Sequence, residues 1–357
     1  MLTTTDEALV TIFLQEVIEM GLNRLVVSAL LVLLGIPAMA TAQSNWNVKQ
    51  TFHIGGEGGW DYVTIDSQSH RLFVTRSTHT QVIDDESGKV LGDIPGQIRS
   101  HGVALVPKLN RGFITDGGGK GAILVFDLKT YAALGKLAAM PDADGIIYDP
   151  KTNLVLAVSG DGNALMTFHP DIDPQSGKID APIELGGAPE FLAADGEGKV
   201  YVNLEDKDLV AVVDLNTRKV TAKWPVAPGG HPVGMSMDRN SHRLFIGCRN
   251  PQKLVVMNAE NGKIEAALPI GAGVDATGFY NGQAFASCRD GSLTVIGAAS
   301  DKFAVEQTVK TPDGARTMGI DGNNHQIYLP TSEFEDATAG GRPKSKPGTF
   351  MLVVVGR

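Results

Sequence analysis

The sequence predicts an all-β fold: a seven-bladed β-propeller of four-stranded antiparallel blades, its ring closed by an N-terminal strand that pairs in the last blade. Three observations predict it. The phrase SHRLFVTRSTHTQVIDDESGKV at Ser69 returns as SHRLFIGCRNPQKLVVMNAENGKI at Ser241. Short β-branched runs separated by Gly, Asn, Asp and Pro fill the chain after residue 42, with no convincing amphipathic helix. The last unit, ending GTFMLVVVGR, lacks a fourth strand, and the segment at residues 45–54 has no unit of its own.

The repeat is read from the residues that close the first strand of each unit: Asp66, Val106, Asp149, Asp195, Asp238, Tyr280 and Asp321, spaced 40 to 46 residues apart. Phe73, Phe113, Val155, Tyr201, Phe245, Phe285 and Tyr328 follow in the second strands. Each unit reads as a short apolar strand, a turn, a second strand such as RLFVT or KVYVN, a third such as TQVID or VAVVD, and an outer strand such as KVTAKW. A sheet of that size cannot bury both faces alone; packing against two neighbours around an axis does so and leaves short edges. In residues 45–54, Trp46, Val48, Phe52 and Ile54 alternate with polar residues, as a strand requires.

Composition agrees with a globular chain: 357 residues, 43% hydrophobic and 20% charged, with 42 Gly for turns. Leu25–Ile36 is an apolar run after Arg24 and before Ala38-Met-Ala-Thr-Ala42, the pattern of a secretory signal over residues 20–42. Residues 1–19 carry four acids and no base, so they read as an extension ahead of a true start at Met20. Residues 43–357 then form one propeller domain with no membrane span. The expected location is periplasmic or secreted, the expected state a monomer. Without residues 1–42 the net charge moves from −9 to −6. With no basic block, nucleic-acid binding is disfavoured. Cys248 and Cys288 end second strands in neighbouring units, and the sequence leaves open whether they bridge. No C-x-x-C or Cys/His cluster supports zinc.

The motifs Arg71-LFVT, Lys199-VYVNLEDK, Val212-VDLNTRKV, Arg243-LFIG and Pro269-IGAGVDA resemble those of the bacterial YVTN-repeat, YncE-like propellers over essentially all of residues 45–357. No unit spells YVTN; Tyr201–Asn203 comes nearest. The resemblance implies an exported seven-bladed propeller and carries over no catalytic residue. Some members are linked to single-stranded DNA, which the acidic balance here does not encourage.

Five residues before each first-strand anchor stand Asp61, His101, Asp144, Glu190, Val233, Asp275 and Arg316, with His231 two residues before Val233. Loops after the second strands add Arg76, His79, Asp116, Asn203, Glu205, Arg249, Arg289 and Glu333. In a propeller these positions meet around the axial funnel. The candidate ligand-binding set is Asp61, His101, Asp144, Glu190, His231, Asp275, Arg316, Arg249 and Arg289, a polar funnel for a small ligand or a protein. Each residue alone also suits a turn or an inter-blade hydrogen bond. No cofactor is called for. Asp61, Asp144, Glu190 and Asp275 offer the hard oxygens that calcium or magnesium takes, without a diagnostic spacing. His101 or His231 beside an acid suits acid–base chemistry, so a lactonase- or lyase-like propeller enzyme is the alternative to a binding scaffold. G-x-S-x-G, H-E-x-x-H and GxxxxGK[ST] are absent, and GGGKG at 117–121 reads as a turn. The insertion EFEDATAGGRPKSKPG at Glu333 should hang over the funnel face.

Overall fold

Alternation is what makes each strand useful on both faces. In the last strand, Met351–Gly356, Val353 and Val355 pack into one core with Phe285, Val295 and Ile327, while Leu352 and Val354 pack into another with Leu72, Val74 and Ile83. Successive side chains of a strand point to opposite faces, so one run of valines and a leucine glues two neighbouring sheets at once. In this computed structural model, which describes residues 45–336 and 343–357, the same arrangement recurs along the chain. The expected signal at 20–42 and the extension at 1–19 lie outside the described residues.

The described residues form six antiparallel sheets of four to seven strands, with 3-10 turns and no α-helix. Five sheets have four strands. The sixth has seven, because one strand, Val90–Val106, pairs with Ser77–Asp84 through its first half and with Arg111–Asp116 through its second. The sequence reads KVLGDI as an outer strand and the strand closing at Val106 as a separate one; the chain instead runs through as one paired strand. In the third repeat the outer strand is only Ile183–Glu184.

The first strands of successive repeats touch in order: Val63–Asp66, the far half of Val90–Val106, Ala143–Asp149, Pro189–Ala194, Pro232–Asp238, Val274–Tyr280 and Gly319–Asp321. The last of these also touches the first. Side chains cross the same seam: Thr317 donates from its hydroxyl to the Asp61 carbonyl at 2.7 Å.

Asn47–His53 pairs antiparallel with Met351–Gly356, as expected for residues 45–54. Trp46, only 1% exposed, locks that strand to the preceding sheet. Its indole N–H donates to Gln283 at 2.9 Å, its ring meets Phe285 edge-on at 5.1 Å, and its backbone exchanges two hydrogen bonds with the Gln307 amide. The recurring aromatics of the second strands are buried, Phe73 in a core within the seven-stranded sheet and the others in cores between sheets. Cys248 and Cys288 are both free buried thiols, each pushed up to about 12, chiefly by burial.

Candidate functional site

A local irregularity aims the inner side chains at one another. In five repeats the pairing of first and second strands slips at the position in question, at Ser100/Val103, across Ala143–Ile146, at Pro189/Leu192, Pro232/Met235 and Val274/Ala276. Each slip brackets His101, Asp144, Glu190, Val233 or Asp275. An extra residue in one strand bends it and re-aims a side chain.

The result is a connected polar chain. His101 Nδ1 lies 2.6 Å from Asp61 and 3.5 Å from Asp144. Arg316 lies 4.0 Å from Asp61 and donates to Asp275 at 2.5 Å. Asp275 also takes Arg249, whose second arm donates to Glu205 at 3.0 Å. Glu205 shares a hydrogen bond with Glu190. Asp144, His101, Asp61, Arg316, Asp275, Arg249, Glu205 and Glu190 thus come from all seven repeats.

Five carboxyl groups here face three cations, and protonation follows from that imbalance. Burial, together with Asp144, Glu205 and the hydrogen bond to Glu205, pushes Glu190 up to about 10 against the opposing Arg249. Burial lifts Asp144 to about 7, with Asp61, Asp142 and Asp275 adding to it and His101 opposing. For His101, burial disfavours the charge, but the hydrogen bond to Asp61 and the charges of Asp144 and Asp61 outweigh it and raise the imidazole to about 8. At neutral pH His101 is therefore an imidazolium and Glu190 a neutral acid.

Three buried polar atoms at this place have no hydrogen-bond partner: His101 Nε2, Asp144 Oδ1 and the Tyr62 hydroxyl. Tyr62 stacks on Phe191 at 4.5 Å. Burial and the charges of Asp144, Asp61, Glu190 and Asp275 hold its phenol far above the ordinary value, so it stays a neutral donor. The two rings occupy the residue after the inner polar position; the other five repeats place Gly102, Gly145, Gly234, Ala276 and Thr317 there. At Gly145 a Cβ would stand 3.3 Å from the Tyr62 oxygen and 3.1 Å from the Glu190 carbonyl. The pair also lines an axial cavity of about 540 Å³, walled by Val103, Ile146, Met235 and Met318. The axis is thus polar on one side of the stacked rings and mainly apolar on the other.

Arg249 also lines a second cavity of about 660 Å³, with Arg289, Asp313 and Phe334. Phe334 belongs to the insertion after Thr331. Its base is a short hairpin joined by Glu335 N–H to the Lys344 carbonyl, and Phe334 packs on Trp60. Residues 337–342 lie outside the described residues. Asp61, His101 and Asp144 offer one ligand atom each within 4.8 Å of one another, a spacing that suits a metal ion.

Of the sequence-predicted set, Asp61, His101, Asp144, Glu190, Asp275, Arg316 and Arg249 come together. His231 does not: it is exposed at a left-handed turn, φ 48°, its N–H held by Asp208. Arg289 sits exposed on the rim of the second cavity. Arg76, Asp116 and Asn203 are buried and serve backbone groups: Arg76 binds four carbonyls, Asp116 takes the N–H groups of Ile98, Arg99 and Gly118, and Asn203 donates to Val233 and Gly234. Sequence reasoning missed the Tyr62–Phe191 pair. Aligning the repeats one column further would have shown two aromatics among five small residues.

No family model matches the chain, and no curated protein matches its sequence. Among solved structures it is similar to Kuenenia stuttgartiensis hydrazine synthase, a β-propeller-containing protein. The TM-score is 0.66 at 12% identity, over 83% of this chain and 96% of that one. At that identity the likeness speaks to fold alone: the chain has a β-propeller-like all-β fold.

Proposed function

We propose that the chain is an exported seven-bladed β-propeller of the YVTN-repeat, YncE-like kind, and that it binds a small polar ligand at the polar end of its axis. The seven evenly spaced repeats, the cyclic order of first-strand contacts and the N-terminal strand in the last sheet support the ring. On this reading the seven-stranded sheet is two blades sharing the strand Val90–Val106. The pattern of residues 20–42 supports export to the periplasm or beyond.

The observation that carries the binding role is that His101 Nε2, Asp144 Oδ1 and the Tyr62 hydroxyl, all at the polar end of the axis, are buried without a hydrogen bond. Buried polar groups are ordinarily paired, and leaving several unpaired at one place is costly. A ligand with its own donors and acceptors removes that cost. The cavity beside Arg249 opens on the same polar chain, whose links run from Arg249 through Asp275, Arg316 and Asp61 to His101. The excess of carboxyls over cations works against nucleic-acid phosphates at this end of the axis.

The test is native mass spectrometry of protein extracted from its host under non-denaturing conditions. The expected result is an added mass on the wild type that is lost in His101→Ala and Asp144→Asn while circular dichroism stays unchanged. Bare wild-type protein, or equal retention in both variants, refutes the reading.

One observation favours a second reading, an acid–base enzyme. Asp61 holds His101 through Nδ1 and leaves Nε2 open, the arrangement of a carboxylate–imidazole dyad. A substrate turned over here would show a rate that changes with a pKa of about 8, and Asp61→Asn would move that value down.

A further inference from the structure

Five repeats share one backbone hydrogen bond beyond the third strand. The N–H of Asp85 donates to His70, Leu128 to Asn110, Leu215 to Gly198, Ala259 to His242 and Ala298 to Gly282. These are equivalent slots, and all five side chains are buried. Four are apolar. Asp85 alone carries a carboxyl group, and it is 0% exposed. Packing asks for Leu or Ala in this slot, and a carboxylate buried there is costly unless a cation faces it.

The surroundings supply little positive charge. Asp85 Oδ1 lies 3.2 Å from His70 Nδ1, and Asp85 Oδ2 is buried with no partner. Glu86 stands 3.8 Å from the same imidazole. Asp321, 1% exposed, closes the first strand of the last repeat, and its charge bears on Asp85 across the seam. Two other repeats set an arginine opposite the acid in the position of Asp321, Asp66 opposite Arg71 and Asp238 opposite Arg243, while Asp149 lies opposite Leu154. Asp321 lies opposite Gln326. Among the described residues no lysine or arginine forms an ion pair with Asp85, Glu86 or Asp321. Two carboxyl groups therefore share one half-exposed imidazole, with the third, Asp321, beside Asp85.

We propose that His70, Asp85 and Glu86, with Asp321 beside them, hold a divalent metal ion of the zinc or manganese class at the seam between the last and first repeats. His70 Nδ1 and one oxygen each of Asp85 and Glu86 lie within 4.8 Å of one another. One imidazole with carboxylates suits borderline metals, whereas calcium asks for six to eight oxygens. The backbone under the site is fixed from the last repeat, because the Tyr328 hydroxyl donates to the Asp85 carbonyl at 3.0 Å. The ion supplies the charge that Arg71 supplies in the first repeat and ties the two end repeats together. The site lies at the strand ends away from His101, so it is separate from the ligand-binding end of the axis.

The test titrates Zn²⁺ and Mn²⁺ into the metal-free full chain by calorimetry and follows Tm, with Ca²⁺ as the contrast. Asp85→Leu installs the residue that two equivalent slots carry. His70→Asn installs the residue that Asn110 and Asn153 present at the same left-handed turn. The expected result is one Zn²⁺ or Mn²⁺ per wild-type chain and a Tm that climbs with the logarithm of metal concentration. Both are lost in Asp85→Leu, which also melts above the metal-free wild type, and binding weakens at least about tenfold in His70→Asn, the cost of one lost ligand. Absence of Zn²⁺ and Mn²⁺ binding, a response to Ca²⁺ alone, or binding undiminished in either variant overturns the proposal.

Discussion

Glu190→Gln should make the protein more stable at neutral pH and change nothing at acid pH. Glu190 shares its hydrogen bond with Glu205 and is pushed up to about 10, mainly by burial and then by Asp144 and Glu205. In the unfolded chain a glutamate titrates near 4.5. A carboxyl group raised on folding contributes stability that is complete below its unfolded value and is lost as pH rises toward its folded value. At pH 7 the chain must take up a proton to fold. At about 1.4 kcal/mol per pH unit above 4.5 the ceiling is ~3 kcal/mol, and water reaching the half-buried group brings it to about 1–3 kcal/mol. Glutamine keeps the shape and the donor to Glu205 without the proton. The assay is urea unfolding of wild type and variant at pH 4.5, 6 and 7.5. The difference should start near zero and grow through the series in favour of the variant. A difference that stays constant with pH, or a less stable variant at pH 7.5, refutes the electrostatic reasoning.

Trp46→Ala should cost about 3–5 kcal/mol, since it empties a buried indole site against Phe285 and removes the hydrogen bond to Gln283; a thermal melt shifted by only a degree would show that the N-terminal strand is not a working closure. Arg76→Met should cost about 3 kcal/mol or more, because the guanidinium binds the carbonyls of Gly55, Glu57, Gly58 and Gly59 while lying 3.6 Å over Phe350; denaturant unfolding reads it, and limited proteolysis should then cut near Gly58. Tyr62→Phe removes an unpartnered buried hydroxyl and keeps the stack on Phe191, so the ligand-free protein should gain about 1 kcal/mol while ligand retention falls. Paired melts and native mass spectra separate the two effects.

Most of the strand pattern was legible because each repeat states it again. The join between KVLGDI and the strand closing at Val106 was not legible: Pro95 and Gly96 ordinarily interrupt strands, but here pairing passes from one neighbour to the next around them. The inner polar positions were legible because a fixed offset from the first-strand anchor finds them without knowledge of their side chains. His231 fails that offset by two residues, and its turn carries it to the surface. Glu205 and Arg249 join the network through side-chain reach across neighbouring repeats, a property of distance in space. The stacked pair Tyr62–Phe191 joins repeats one and four across the axis; the repeat column shows two aromatics but not that they meet.

Seven sequence repeats of one strand pattern also provide an internal control. Phe73, Phe113, Tyr201, Phe245, Phe285 and Tyr328 recur in one slot, all nearly fully buried, and packing alone explains a residue that recurs. The inner slot behaves differently: Asp, His, Asp, Glu, Val, Asp and Arg follow one another at equivalent backbone positions. Packing does not ask for that variety, so charge pairing decides the identities. Around most of the ring the pairing closes, with His101 against Asp61, Arg316 against Asp61 and Asp275, and Arg249 against Asp275 and Glu205. Between repeats three and four it does not. Asp144 raises Glu190 there, and the Tyr62 hydroxyl, without a hydrogen bond, feels the charge of both. The unmet demand for a donor or a positive charge is therefore concentrated on one side of the axis, where a bound ligand would relieve most.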